Sequence, residues 1–343
     1  MRQKNYNIEV MRVIAFIMVI VIHVSNYFCR AYGSISTGEY VYSLIINSLA
    51  RVSVPCFFMM SGALLLGRTE GMDKALARAK KFFGVLCVWT LIYYLFNVYY
   101  TDQGCIWRKL LEKPAEAHLW YLYVMIPVYI VLPFLQVLCK GMNEKLEKAF
   151  MVIGFIWLTI VHIMPYGELD LNFKLDLYFD LPLFGDRSYI FYLFSGYLIA
   201  KYKDKIKLSQ KQLLLLFVGG SMINVVATIW KSAEQGDHFE WVFQYGGPMV
   251  IISSLAFFAY IMRLGNGDVK LSDKAKKWID TSCACSFGIY LIHIMFLDNY
   301  KIHVAADAVS VYWILPVLVV VIVVISFVVV YLLRKTKLGK MIM

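Results

Sequence analysis

Long apolar runs, each interrupted by only a few polar positions, alternate along this chain with short charged segments. A helix of about 20 residues rises 1.5 Å per residue and spans the roughly 30 Å hydrocarbon core of a bilayer. The runs that meet or approach that length are Ile8–Phe28, Tyr40–Leu66, Phe82–Tyr100, Leu119–Cys139, Ala149–Met164, Tyr189–Ala200, Leu213–Trp230, Tyr245–Met262, Thr281–Leu297 and Val309–Leu333. The sixth is short, and a start near Leu181 would complete it. The pattern predicts an all-α, polytopic integral membrane protein with about ten transmembrane helices. An outer-membrane barrel would instead show alternation in short segments.

Composition leaves little room for anything else. Of the 343 residues, 60% are apolar and 17% charged, against roughly 45–50% and 25% in soluble domains. Ten spans consume about 200 residues, so residues 1–343 read as a single transmembrane domain. Disorder, a secreted disulfide scaffold and a cytosolic enzyme are excluded. The first span lacks a small-residue cleavage site and is followed by others, so it reads as a span and not as a signal peptide.

The net charge of +11 is explained by placement. The N-terminus, the even-numbered loops and the C-terminal tail hold 24 of the 34 basic residues, and acidic residues lean to the other side. By the positive-inside rule both termini are cytoplasmic, in a multi-pass cell membrane protein. The charge is therefore a topology signal, and nucleic acid is not the expected partner. Most of the cysteines lie in or beside spans, where they act as small hydrophobes. Cys29 and Cys105 both map to the outer side and could pair. Cys283-Ala-Cys285 lacks companion ligands at zinc spacing, so no metal is expected.

Ionisable residues inside a membrane are costly and mark candidate sites. Arg12 and His23 are eleven apart, about 20° beyond three full helical turns, so they share a face about 16 Å apart along the axis. Taken singly, Arg12 would snorkel to headgroups and His23 would pack; the shared face favours a joint role. Arg51 falls near the centre of the second span and needs a partner or a wet cavity, because arginine keeps its charge. Glu9 or another acid within a span is one candidate partner, and a charged cavity is the favoured alternative. Pro55 clashes with the carbonyl of residue 51, so a kink is expected there. His118 and His293 fall at about the height of His23, and Tyr290 shares a helix face with His293. His162 reads as interfacial, and Trp120, Tyr121 and Trp241 as an aromatic belt in which Trp120 also has the position to line a site.

Four segments carry a family resemblance: Arg12-x10-His23, Val54-Pro-Cys-Phe-Phe-Met-Met-Ser61-Gly-Ala-Leu-Leu, His118-Leu-Trp-Tyr-Leu and Ser286-Phe-Gly-Ile-Tyr-Leu-Ile-His293. In this order, from the first span to the ninth, they resemble the acyltransferase-3 family of integral membrane acyltransferases. The nearest type is the short, single-module one, without an appended hydrolase-like domain, that O-acetylates surface polysaccharide or glycolipid in bacteria. The resemblance implies transfer of an acyl group, acetyl by default, from cytoplasmic acyl-CoA to a hydroxyl of an envelope glycan or lipid-linked sugar.

The resemblance makes His23 the catalytic residue and Arg12 its partner. Whether His23 is a base or an acylated nucleophile is open at this point. A hydroxyl acceptor needs a base that works near neutral pH and donors for the oxyanion, for which Arg51, Ser61 and His293 are candidates. Arg12, Arg68, Arg78 and Lys81 are candidates for the donor phosphates. His118, Trp120 and Tyr290 are candidates for substrate binding. A homo-oligomer is compatible with the sequence, but no heptad or small-xxx-small face specifies one.

Strand-like alternation over Leu169–Leu177 predicts a hairpin or flap on the outer side, with a lid over the acceptor as its functional reading. A transporter or flippase is the competing class, since ten spans, a broken helix and buried charge suit it too. The absence of a visible inverted repeat lowers it.

Overall fold

The computed structural model describes residues 4–97, 106–171, 189–267 and 269–342. Its helices are α1 (Tyr6–Cys29), α2 (Thr37–Ala50), α3 (Ser53–Leu65), α4 (Met72–Asn97), α5 (Ile106–Leu111), α6 (Trp120–Gly141), α7 (Glu144–Leu171), α8 (Tyr189–Tyr202), α9 (Gln210–Gln235), α10 (Pro248–Met262), α11 (Asp273–His303), α12 (Val311–Leu333) and α13 (Lys337–Ile342). Among the described residues, nine helices are long and apolar enough to cross a membrane, counting α2 and α3 as one broken span. α8 has 14 described residues and stands in the place of the sixth expected span.

Local chemistry sets several helix starts. Ser36 and Glu39 form a reciprocal capping box at α2, and Ser209 and Gln212 form another at α9. Ser272 caps α11 through the Ala275 amide. Pro248 occupies the first turn of α10, where its missing N–H costs nothing. α9 ends on Gly236 at φ 71°, a left-handed conformation that favours glycine.

The expected kink in the second span falls where helical hydrogen bonding is interrupted for two residues that keep right-handed dihedrals. α2 ends at Ala50, Arg51 and Val52 form a turn, and α3 restarts at Ser53. Pro55 has no N–H to offer the Arg51 carbonyl, so the helical ladder cannot run through. α3 then packs against α8 at very close range. A Cβ on Gly62 would overlap the Leu193 backbone, and one on Gly196 would overlap the Met59 backbone. Each helix presents its glycine to the other's main chain.

α1 is the hub, in contact with α2, α3, α10, α11 and α12. α12, by contrast, shows much of its surface, with Trp313, Val320 and Leu332 all exposed. That is the expected face of a helix that meets lipid.

One expectation needs adjustment, and another falls outside the described residues. The strand-like segment at Leu169–Leu177 begins as helix, because Leu169–Leu171 are the last residues of α7. Adding a residue to an existing helix forms one hydrogen bond at no nucleation cost, which outweighs a short alternating pattern. Residues 172–177 lie outside the described residues. Cys105 does too, so the proposed pair with Cys29 is not described.

Candidate active site

A cavity of about 750 Å³ runs along α1 from Arg12 to Arg30. That is 18 residues, or about 27 Å of helix, nearly the thickness of a hydrocarbon core. One end, on the side of the bundle that holds the N-terminus, is lined by Arg12, Lys81, Phe82 and Ser286. The other end is lined by Arg30, Glu116, Asp298 and Lys301. The shared face of Arg12 and His23 is therefore the face turned to this cavity.

His23 is half-buried on the wall and belongs to a cluster of three imidazoles. Its ring lies 5.2 Å from that of His293 and 6.4 Å from that of His118, and those two are 5.3 Å apart. They come from α1, from α11 and from the single 3-10 turn Ala117–Leu119 before α6. His293 is fully buried behind the wall. Its Nδ1 lies 2.8 Å from the Tyr290 carbonyl and 3.2 Å from that of Ile289. A carbonyl only accepts, so in the neutral ring Nδ1 carries the proton and Nε2 keeps a lone pair. That Nε2 has no hydrogen-bond partner among the described residues. The Tyr290 hydroxyl donates to the His118 carbonyl at 2.5 Å, which ties α11 to the turn. Trp120 stacks on Tyr189, lies tilted against Tyr245, and lines the cavity with Tyr121 and Tyr290.

Arg51 also lines the cavity, 8% exposed. Its Nε donates to Asn47 Oδ1 at 2.8 Å, and Nη2 lies 3.5 Å from Glu240. Its guanidinium sits 5.2 Å from the centre of the Phe243 ring. Glu240 also takes Arg30 at 2.8 Å. Arg51 faces a charged cavity, as favoured, and it also has an ion-pair partner, though from a loop and not from within a span. That partner is Glu240 and not Glu9, because Glu9 is held by Arg12 one turn away at 2.7 Å. Burial alone would raise the Glu240 carboxyl, but Arg51 and Arg30 outweigh it and hold it below the ordinary carboxylate value. Glu116, at the same mouth, is pushed up by burial, although Asn97 donates to it at 2.7 Å.

Asn47 and Glu240 were not singled out from sequence. Asn47 offered a signal, being a polar residue in a span four positions before Arg51. Besides binding Arg51, it donates to Ser25 Oγ and to the Ile22 carbonyl, and so fixes α2 against α1 beside His23. Glu240 offered none, since it lies 189 residues from Arg51 in a loop.

Other expected residues sit elsewhere. Ser61 is one turn along α3 from the wall residue Phe57, and its hydroxyl donates to the Phe57 carbonyl at 3.0 Å. Arg68 and Arg78 are both occupied by Glu70: Arg78 binds it through both Nη groups, and Arg68 approaches at 3.6 Å. Those bonds hold the Glu70 carboxyl below its ordinary value. Of the four basic candidates for the donor, Arg12 and Lys81 line the cavity. His162 stacks flat on Trp241, in line with an interfacial role. Among the described residues no group of three or more His, Cys, Asp or Glu is arranged to hold a metal ion.

Fold and site together define a class: a polytopic membrane protein whose helices line a long polar cavity with imidazoles partway along it. The family model described as acyltransferase domain matches residues 5–335. The chain belongs to this acyltransferase-3 family and is a membrane acyltransferase that transfers acyl groups other than aminoacyl ones. No curated protein and no solved structure matches it.

Proposed function

We propose that this protein moves an acyl group, acetyl by default, from acyl-CoA to a hydroxyl of an envelope polysaccharide or lipid-linked sugar, in a bacterial cytoplasmic membrane with both termini inside. The observation that carries the reading is the position of His23, partway along a cavity that is cationic at one end and mixed in charge at the other. Lys81, together with Arg12 through the guanidinium N–H groups that Glu9 leaves free, suits the donor phosphates at the N-terminal end. An extended pantetheine arm would cover the roughly 16 Å from Arg12 to His23 and bring its thioester to the imidazoles. The acceptor would enter past Glu116, Asp298 and Trp120, where carboxylates accept from hydroxyls and an aromatic face stacks on a sugar.

In this reading His23 acts as general base. It takes the proton of the acceptor hydroxyl as that oxygen bonds to the thioester carbonyl carbon. The oxyanion is held by N–H groups of the Arg51 guanidinium. Collapse breaks the carbon–sulfur bond, and His23 returns the proton to the leaving thiolate. His293 and His118 hold the ring in place at van der Waals range. Labelled acetyl-CoA and membrane vesicles test the proposal: His23→Ala at the wild-type transfer rate would disprove it. Rapid quench searching for an acyl-histidine adduct separates base from nucleophile, and no adduct is expected. Mass spectrometry of envelope glycans from a deletion strain, following loss of acetyl groups, identifies the acceptor.

A further inference from the structure

A second cavity, of about 760 Å³, lies between α7, α8, α9 and α10 at the N-terminal side of the bundle. Its walls are apolar, with Met151, Leu198 and Leu255 among them. It reaches from a rim at Lys205 and Lys207 to Ile252, ten residues inside the end of α10. The depth is therefore about 15 Å, half of a hydrocarbon core. Two wall residues, Val152 and Leu216, are 57% and 40% exposed, so the groove opens sideways, toward lipid.

The rim charges decide the occupant. Glu147 is held by Lys201 at 2.6 Å and by the Tyr202 hydroxyl at 2.7 Å. Glu144 is held by Lys148 at 3.0 Å. Lys205 and Lys207 are exposed and form no direct ion pair among the described residues, although Lys205 is within electrostatic range of Glu144; the Lys205 ammonium lies 5.2 Å from the centre of the Tyr202 ring. Two lysines not held in ion pairs thus stand at the mouth of an apolar groove one leaflet deep. This arrangement suits a molecule with an anionic head and an apolar tail that arrives from the bilayer. Basic pockets between membrane helices take phosphate headgroups for this reason.

We propose that the groove binds an anionic diacyl phospholipid, with its phosphate on Lys205 and Lys207 and one acyl chain between α7, α9 and α10. A zwitterionic lipid has the same tails but gains little from the lysines. Two lysines at an anionic headgroup correspond to a preference of about tenfold or more.

The test uses the purified full chain in detergent, titrated with dioleoylphosphatidylglycerol or dioleoylphosphatidylcholine, with bound lipid counted by native mass spectrometry. Phosphatidylglycerol is expected to be retained about tenfold better. The double variant Lys205→Gln/Lys207→Gln is expected to bring the two lipids within about twofold of each other. Leu216→Trp fills the groove from its lipid side and leaves the lysines in place; it is expected to lower retention of both lipids. Thermal unfolding confirms that each variant is folded. Equal retention of both lipids by the wild type overturns the proposal, as does a preference that survives the lysine substitutions or undiminished binding by Leu216→Trp. Displacement of phosphatidylglycerol by free coenzyme A would also overturn it, assigning the groove to the nucleotide instead.

Discussion

The two cavities are nearly equal in volume and opposite in chemistry. One follows α1 through the bundle and is lined by imidazoles, arginines and carboxylates. The other opens between α7 and α10, and its ionisable groups stay at the rim. The difference follows from what surrounds each. Charges that line this cavity have acidic partners close by: Arg12 with Glu9 one turn back on α1, Lys301 with Asp298 one turn back on α11, and Arg51 with Glu240 from the loop before α10. A charge on the inner wall of the lipid-facing groove would meet only hydrocarbon and side chains without dipoles, at a cost of several kcal/mol. Polar residues therefore enter this membrane protein where helices enclose them on all sides, and there they coincide with the site proposed for chemistry.

The sharpest way to break the comparison is at the waist of the polar cavity. His23→Ala removes the proposed base, and transfer is expected to fall about 10³-fold, with folding intact because a half-buried cavity residue is shortened. Next comes Arg51→Met. It is expected to slow transfer about 10²-fold by loss of an oxyanion donor. It should also destabilise the protein by about 2 kcal/mol, a figure discounted from a fully buried pair because Glu240 is partly exposed to the cavity. Thermal unfolding of Arg51→Met/Glu240→Gln should recover much of that loss; if the double variant is no more stable than the single one, the pair is not coupled.

Smaller effects separate the basic residues. Lys81→Gln should raise KM for acyl-CoA about fivefold with little change in kcat, as for a contact made equally in ground and transition states. Arg78→Gln should change KM less, because its guanidinium is already taken by Glu70. Equal effects of the two substitutions would place the donor phosphates nearer to α4's first turns than the cavity does. The smallest effect is with pH. Glu240 has a lowered pKa in the folded state, so its stabilising contribution is present above the ordinary carboxylate value of 4.5 and is lost as pH falls through the lowered one. Melting temperature should drop over that acidic window, and Glu240→Gln should flatten the drop.

Much of this was legible along the chain. Ten apolar runs anticipated the nine long spanning helices found among the described residues and the short α8, since the bilayer imposes a length that a simple count detects. Arg12 and His23 could be paired from spacing alone, because both lie on one uninterrupted helix where 100° per residue fixes relative direction. The break at Arg51 was legible for a similar local reason, a proline four positions on. Arg68 and Arg78 show where such reasoning stops. A run of basic residues near a span end suggests anion binding, but Glu70, between them in sequence, folds back and occupies both.

The sequence by itself determined what depends on one helix at a time: that the chain is an all-α polytopic membrane protein, on which alternate loops its basic residues fall, and which residues share a face. Tertiary structure alone decided which polar residues meet. His23, His118 and His293 come from three separate segments, and Glu240 reaches Arg51 across 189 residues. Such contacts depend on how helices rotate and tilt against one another. That is set by packing, as at Gly62 and Gly196 where α3 meets α8, and not by the periodicity of either helix.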